Sequence, residues 1–263
     1  EILDTTSSST TATHGIYMLG GTKNRISEYN TILNLGTSNV FGAYIANGDV
    51  DIKNCNITVA SSSTSGNYGL FIDDTKGKKT DISTSKFNIY GSANNYGIYH
   101  QNADSNIRYC HITTDGDTDN STDTAYAVAA NSSTSSAGFT SSMIQFIRNQ
   151  DIGKDVIFLT STATNNFVND GFKNGMKLKV LGASNSGNNN YFTINKVSSN
   201  TLTLSEGDVL TSEAAGSSIT IKQLYTISVE HSTLSATSNG TAISNSVAVL
   251  SSSGNSDPSN IWE

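Results

Sequence analysis

Proline is almost missing from this sequence, and charge is scarce. Pro258 is the one proline among 263 residues, and charged residues make up 14%. No apolar run approaches the ~18–20 residues of a membrane-spanning helix, so we expect no membrane insertion. The 15 basic residues are outnumbered by 22 acidic ones, which argues against nucleic-acid binding through a basic face. Cys55 and Cys110 are too few for a disulfide framework and lack zinc-site spacing.

Serine, threonine and asparagine replace the missing charged and apolar residues. The chain has 40 serines, 32 threonines and 30 asparagines, whereas apolar residues account for only 35%. Disordered chains usually combine high net charge with many prolines. Here the net charge is only −7, and β-branched and aromatic residues are frequent. The composition therefore predicts a folded, polar chain that is rich in β-strands.

A first motif repeats four times near the N-terminal end. It consists of a ring residue, a glycine, an apolar residue and a second ring, and it occupies residues 14–18, 41–45, 68–72 and 96–100. Its glycines are Gly15, Gly42, Gly69 and Gly97, so the steps are 27, 27 and 28 residues. Tyr126 marks a degenerate fifth copy.

A second motif alternates with the first. A small or thiol residue is followed two positions later by an apolar residue, and an isoleucine stands three positions before it. The main copies begin at Cys55, Ser85 and Cys110. Weaker copies lie at residues 30–32, 142–146 and 232–234.

Both motifs alternate with period 2, which is typical of β-strands. Two or three short strands per coil of about 27 residues, without a helical pattern, predict an all-β parallel β-solenoid whose coils stack at about 4.8 Å. In such a stack, equivalent Asn, Ser and Thr side chains can hydrogen-bond one above another. A β-sandwich is the alternative, but it does not explain the near-constant steps. The two cysteines would lie two coils apart, roughly 9–10 Å, and are interpreted as packing residues.

The repeat is interrupted after Phe146. Residues 151–223 have the sequence pattern of five short antiparallel strands joined by polar turns. This pattern predicts an inserted small β-barrel or sandwich module. The predicted organisation is coils at 1–150 and 224–250, the module at 151–223, and a tail or linker at 251–263.

Two resemblances to known proteins follow from these stretches. Residues 170–176, 182–194 and 201–204 resemble a small β-module common in tailed-phage virion proteins, in which a Gly-Phe-x-x-Gly turn precedes a Ser-Gly-Ser segment and a Thr-x-Thr-Leu strand. The coils resemble right-handed parallel β-helix proteins of the pectin-lyase-like superfamily, which includes phage tailspikes and fibres, polysaccharide lyases and surface adhesins. The resemblance implies a right-handed helix, a trimeric rod and a place on a virion or an extracellular surface.

A ladder of rings is the first candidate site. Tyr17, Tyr44, Phe71 and Tyr99 would form one column, which Tyr126 extends. Alternation in residues 68–73 places Tyr68 with the core and Phe71 on the outer face. Three interpretations stay open: structural stacking, an interface with a neighbouring subunit, or a platform for sugar rings.

A calcium loop is the second candidate site. Asp115, Asp117, Asp119 and Asp123 have the alternating-oxygen spacing of such a loop, but the sequence departs from an EF-hand at the positions of the turn glycine and the bidentate glutamate. Ca²⁺ is therefore the one cofactor considered, and a solvated acidic turn is the alternative.

No catalytic constellation stands out, so we do not predict an enzyme. Acids at coil-equivalent positions form no clean ladder, and the histidines stand alone, with His100 expected to pack. We predict a structural or receptor-binding component of a phage-like virion (a tail fibre, tailspike or surface appendage) that recognises cell-surface polysaccharide. Its partners would be identical subunits, in a trimer, and other virion proteins. The alternatives are a cellular adhesin or filament subunit and, third, a polysaccharide-cleaving tailspike.

Overall fold

The computed structural model describes residues 13–33, 39–61, 65–73, 79–91, 94–116, 124–132, 139–149, 154–162, 166–238, 245–252 and 260–262. Regular structure within these ranges is all β-strand apart from one short 3-10 helix at Ser186–Asn188. The chain divides into two compact units. The coil unit comprises residues 1–132, 226–253 and 260–263, and the module unit comprises residues 133–225 and 254–259.

The strands are short and evenly distributed. In chain order, those up to residue 132 are β1 (Thr13–Leu19), β2 (Asn24–Ser27), β3 (Asn30–Leu33), β4 (Val40–Ala46), β5 (Val50–Lys53), β6 (Asn56–Ser61), β7 (Asn67–Asp73), β8 (Lys79–Ser83), β9 (Lys86–Gly91), β10 (Asn95–Gln101), β11 (Asp104–Arg108), β12 (His111–Gly116) and β13 (Ala125–Ser132). The later strands are β14 (Phe139–Ser141), β15 (Ile144–Ile147), β16 (Val156–Leu159), β17 (Lys177–Leu181), β18 (Tyr191–Val197), β19 (Thr201–Leu204), β20 (Ile219–Glu230), β21 (Thr233–Ser238), β22 (Asn245–Ser252) and β23 (Asn260–Trp262).

The coil unit is a parallel β-solenoid, which confirms the predicted fold class. Sheet one has the order β1-β4-β7-β10-β13-β22, and sheet three has the order β3-β6-β9-β12-β21. Sheet two consists of β2, β5, β8, β11 and the end of β20. All of these pairings are parallel and each joins a strand to its counterpart about one coil away. Three strands per coil therefore enclose one core.

Isoleucines at equivalent positions fill that core. Ile26, Ile52, Ile82 and Ile107 are successive register partners in sheet two, and all are buried. Burying one such side chain stabilises the fold by ~1.5–3 kcal/mol. The isoleucine three positions before Cys55, Ser85 and Cys110 therefore predicts where the strands of sheet two lie.

The corners of the coils use left-handed backbone. At the corner between sheets one and two the left-handed residues include Gly20, Asn47 and Asn102, the types that adopt this conformation readily. At the corner between sheets two and three they are Glu28, Asn54, Thr84, Tyr109 and His231. Each peptide N–H from Glu28 to Tyr109 in this second set donates to a carbonyl of the next coil, so the hydrogen-bond ladder continues around the corner.

The glycine of the first motif is required by close packing between coils. A Cβ on Gly69 would lie 2.6 Å from both the Gly97 carbonyl oxygen and Ile89 Cδ1. A Cβ on Gly42 would lie 2.5 Å from the Gly69 carbonyl oxygen. The position therefore admits almost no side chain in these coils.

The module unit is antiparallel. Its strands follow the order β15-β16-β19-β18-β17-β20, and β14 pairs with β20. The predicted hairpin of residues 191–197 and 201–204 is β18 and β19. One buried cluster, which includes Phe146, Phe167, Leu178 and Ile194, forms its core.

Three expectations about the chain differ from the structure. Residues 142–146 are not a coil copy, because β15 pairs antiparallel with β16 in the module unit. The copy at residues 30–32 is displaced by one position: Thr31 is buried, while Ile32 points outward and is 55% exposed. The tail expected from residue 251 overlaps the end of β22 and contains β23, and residues 253–259 lie outside the described ranges.

Candidate functional site

Two columns of rings, not one, run along the outer face of sheet one. The first column, formed by the ring before each motif glycine, contains His14, Phe41, Tyr68, Tyr96 and Tyr126. The second column, formed by the ring after it, contains Tyr17, Tyr44, Phe71 and Tyr99. Neighbouring centroids within a column are 4.8–5.6 Å apart. We call these two sets the ring columns. The stacking of Tyr44 on Phe71, and of Phe71 on Tyr99, is as the repeat predicted.

The second column exists because strand alternation breaks at the motif glycine. Gly69 and Leu70 are both buried, and Tyr68 and Phe71 on either side are both partly exposed. Their rings touch edge to face at 5.2 Å. The expectation that Tyr68 points into the core was therefore wrong, since strict period-2 alternation does not hold where Gly69 lets the backbone approach the next coil.

Tyr126 also lies elsewhere than expected. It is the register partner of Tyr96, whereas the partner of Tyr99 is Ala129. Tyr126 therefore extends the column of Tyr68 and Tyr96, because the coil from Tyr99 to Ala129 is longer than 27 residues. The column of Tyr17, Tyr44, Phe71 and Tyr99 has no ring at Ala129.

The geometry of the ring columns bears on what they can bind. Ring planes within a column are nearly parallel, at 8° for Tyr44 and Phe71 and 7° for Tyr68 and Tyr96, so each face of an inner ring is covered by its neighbour. Only ring edges and hydroxyls are left toward solvent. Sugar stacking needs an open ring face, so this arrangement favours structural stacking over a sugar platform.

Two hydroxyl groups in the ring columns, those of Tyr44 and Tyr96, are held protonated. The Tyr44 hydroxyl donates to Asp73 Oδ2 at 2.7 Å. Burial, and then this contact, raise the pKa of Tyr44 above its ordinary value. Burial also raises the pKa of Tyr96 to about 12. These hydroxyls are therefore neutral hydrogen-bonding groups and not proton donors in chemistry near neutral pH.

Two carboxylates of the described residues stack in sheet two, although the sequence alone indicated no ladder of acids. Asp51 and Asp81 are register partners in sheet two, between Arg25 and Asn106. Arg25 Nε lies 3.8 Å from Asp51 Oδ2, and Asn106 Nδ2 donates to Asp81 Oδ1 at 2.7 Å. Both aspartates are exposed on an open sheet face. Glycoside hydrolysis needs two carboxyl groups on opposite sides of a bound sugar bond, and this row has both on one side.

The candidate calcium loop is mostly outside the described residues. Asp117, Asp119 and Asp123 belong to that part, and only Asp115 is described. Asp115 is the second-last residue of β12, where its Oδ1 accepts a hydrogen bond from Thr237 Oγ1 at 3.0 Å. Among the described residues there is no group of three or more His, Cys, Asp or Glu side chains that could hold a metal ion.

The cysteines occupy a column of small residues at the corner between sheets two and three. Both thiols are free and buried. The Cys55 peptide N–H donates to Ser85 Oγ at 3.1 Å, and that of Cys110 donates to Ser232 Oγ at 3.1 Å. Burial raises the pKa of both thiols. This is the environment of a structural thiol and not of a nucleophile.

His100 is fully buried and hydrogen-bonded at both ring nitrogens. Nδ1 lies 3.3 Å from the Ala129 carbonyl oxygen, which can only accept, so Nδ1 carries the proton. Nε2 then accepts from Ser105 Oγ at 2.6 Å. Burial lowers the pKa of His100 to about 4. A neutral, enclosed imidazole of this kind is a packing residue.

A shallow depression of about 500 Å³ lies at the corner between sheets two and three. Its lining includes Tyr109, Thr84, Asn54, Lys86 and His111. No repeated motif in the sequence marks this depression, because the corner position differs in residue type from coil to coil. The usable signal was positional: Tyr109 directly precedes Cys110, as Thr84 precedes Ser85 and Asn54 precedes Cys55.

Acidic side chains in the module unit hold loops in place. Glu213 accepts hydrogen bonds from the peptide N–H groups of Ser184 (2.8 Å) and Asn185 (3.0 Å). Burial opposes ionisation of Glu213, but these hydrogen bonds outweigh it and lower its pKa. Asp155 accepts from the peptide N–H of Asn149 at 2.9 Å and from that of Leu210. Both carboxylates accept hydrogen bonds from backbone N–H groups and so stabilise the loop conformations.

No protein-family model matches the chain, and no curated protein is detectably similar to it. None of the helical structure in the described ranges is long and apolar enough to cross a membrane.

Proposed function

We propose that this chain is a structural and receptor-binding component of a phage-like virion or comparable extracellular appendage, which recognises cell-surface glycan. The observation that carries the proposal is the continuous stacking of like side chains on like along all three sheets. Rings stack in the ring columns, Asn67 Nδ2 donates to Asn95 Oδ1 at 2.9 Å, and Cys and Ser alternate at one corner. Such cross-coil contacts stiffen the coil unit, and stiffness is what an appendage requires.

The module unit supports the same proposal. An insertion with its own buried core can present loops without contributing to the coil ladder. The resemblance of residues 170–176, 182–194 and 201–204 to a virion β-module, noted from the sequence, points the same way. Binding loops on a rigid scaffold are the usual division of labour in recognition proteins.

The proposal is tested by measuring the assembly state of the purified chain. Light scattering after size-exclusion chromatography and negative-stain electron microscopy both report it. Discrete trimers, with antibodies against the chain labelling virus-like particles, support the proposal. Long polymers would contradict it and favour the filament subunit instead. That alternative rests on β1, β2 and β3, which stand at the ends of the strand orders and could accept another copy.

A polysaccharide-cleaving tailspike is tested separately. Release of reducing or unsaturated sugar ends from host polysaccharide would establish it. A rate that survives substitution of Asp51 and Asp81 would place that chemistry elsewhere on the chain.

A further inference from the structure

Two bulky rings stack at the corner between sheets two and three, and one of them, Tyr109, lines the corner depression. Tyr109 and His231 have φ of 53° and 49°, in the left-handed region that glycine and asparagine adopt with least strain. The left-handed residues at the other corner are Gly20, Gly21, Lys23, Asn47 and Asn102, and none of them has a ring. The left-handed conformation recurs at this corner in Glu28, Asn54 and Thr84, so it belongs to the coil. What distinguishes Tyr109 is its large exposed ring.

The Tyr109 ring has one covered face and one open face. Its plane lies 7° from that of the His231 ring, with centroids 5.2 Å apart, so His231 covers the face toward the following coil. The corner residue of the preceding coil is Thr84, which has no ring to cover the other face. Tyr109 is 61% exposed. This open face distinguishes Tyr109 from the inner rings of the ring columns.

Polar groups surround the open ring face. The Thr84 hydroxyl donates to Asn54 Oδ1 at 2.5 Å, which fixes the orientation of the Asn54 amide. Asn56 donates through Nδ2 to Asn30 Oδ1 at 3.2 Å, which orients the second amide. Lys86 lies on the rim and supplies the formal positive charge of the lining. An aromatic face with amides and one ammonium group is suited to a sugar ring that carries an acid.

We propose that the depression is a binding subsite for an acidic pyranose unit of an oligosaccharide, such as a uronic acid. The apolar C–H face of the sugar packs on Tyr109, its carboxylate pairs with Lys86, and its hydroxyls meet the amides of Asn54 and Asn56. The depression is shallow, so it would contact one face of a sugar unit and not enclose it. A protein partner would need roughly 800 Å² of surface on each side, more than this depression offers. The inference rests on the proposed glycan recognition and adds the place and the sugar class.

The test is calorimetric titration of the full chain with a hexamer of galacturonic acid, and with maltohexaose as an uncharged probe. We expect the wild-type protein to bind the acidic hexamer at least tenfold more tightly than the neutral one. Lys86→Gln should bring the two affinities together. Tyr109→Asn should lower affinity for the acidic hexamer at least tenfold while leaving the thermal midpoint unchanged or higher, because asparagine accepts the left-handed backbone.

Tyr90→Ala is the matched control, since Tyr90 is 47% exposed and lies outside the depression. It should bind like the wild type. Equal binding by Tyr109→Asn and the wild type would overturn the subsite, and so would a wild-type chain that binds neither hexamer. In either case, binding of the wild-type chain to other glycans on a printed array would leave the proposed recognition function standing, whereas failure there too would count against both.

Discussion

The ring of Tyr109 stacks on that of His231 at 5.2 Å, although residues 133–225 of the module unit lie between them in the chain. The neighbouring contacts agree: the Tyr109 peptide N–H donates to the Glu230 carbonyl at 3.2 Å, and Arg108 Nε lies 3.2 Å from Glu230 Oε2. Because Cys110 also contacts Ser232 as Cys55 contacts Ser85, the coil resumes in register after the insertion. The insertion therefore interrupts the sequence and not the ladder.

Replacing Gly69 by alanine should destabilise the coil unit. The new methyl group would meet the Gly97 carbonyl oxygen and Ile89 Cδ1, and overpacking of this kind costs about 1–3 kcal/mol. Gly48→Ala is the control, because its methyl group would meet only side-chain methyl groups at 3.2 Å and a carbonyl at 3.4 Å. Urea unfolding measures both. Equal loss in the two variants would contradict the close approach of coils at Gly69.

His100 should make the fold less stable in mild acid. Its pKa is about 4 in the folded protein, below the ordinary value of 6.5, so the unfolded chain binds the proton more readily. Stability is unaffected by this group above pH 6.5, and it falls as the pH decreases from 6.5 toward 4, by on the order of 3 kcal/mol.

The variant His100→Ile isolates that contribution, because Ile72 is its register partner in the preceding coil. We expect it to be less stable at pH 7, where Ser105 loses its partner, but to lose less stability between pH 6.5 and 4.5. Urea titrations at both pH values measure this. A pH dependence identical to that of the wild type would show that His100 is not the titrating group.

Both thiols should be unreactive in the folded protein. Cys55 and Cys110 are buried, and burial raises their pKa, so a thiol-specific reagent should label neither until the chain unfolds. Cys55→Ser should cost less than about 1.5 kcal/mol, since Ser85 already fills the equivalent position. Rapid labelling of the native chain, followed by mass spectrometry, would be the contrary result.

Interrupting a ring column should cost more than removing an isolated ring. Tyr44→Ala removes two stacking partners and the hydrogen bond to Asp73, for which we expect a loss of about 2–3 kcal/mol. Tyr44→Phe should lose only about 1 kcal/mol, because only the hydroxyl contact is lost. Tyr90→Ala, at an exposed ring outside the ring columns, is the comparison in chemical denaturation. Similar losses for Tyr44→Ala and Tyr90→Ala would contradict cooperative stacking.

The sequence predicted the coils where residue type repeats and failed where it does not. Ile52, Ile82 and Ile107 recur because each must fill the same core position, so their spacing identified sheet two. Tyr68 was assigned to the wrong face because the break in alternation at Gly69 depends on a neighbouring coil.

The remaining differences have similar causes. Residues 142–146 match the motif locally, but the partner of β15 is an antiparallel strand that only the tertiary fold reveals. Tyr109 escaped notice because a left-handed corner tolerates many residue types facing solvent, so no repeated letter marks it.

Disulfide formation between engineered cysteines tests the stacking of coils most directly. Thr58 and Asn88 are register partners in sheet three, and Thr113 is the next partner after Asn88. In a Cys55→Ser, Cys110→Ser background, Thr58→Cys with Asn88→Cys should bridge on mild oxidation, since neighbouring coils are about 4.8 Å apart. Thr58→Cys with Thr113→Cys, roughly 9–10 Å apart, should not. Failure of the first pair to bridge, or equal bridging of both pairs, would contradict the account.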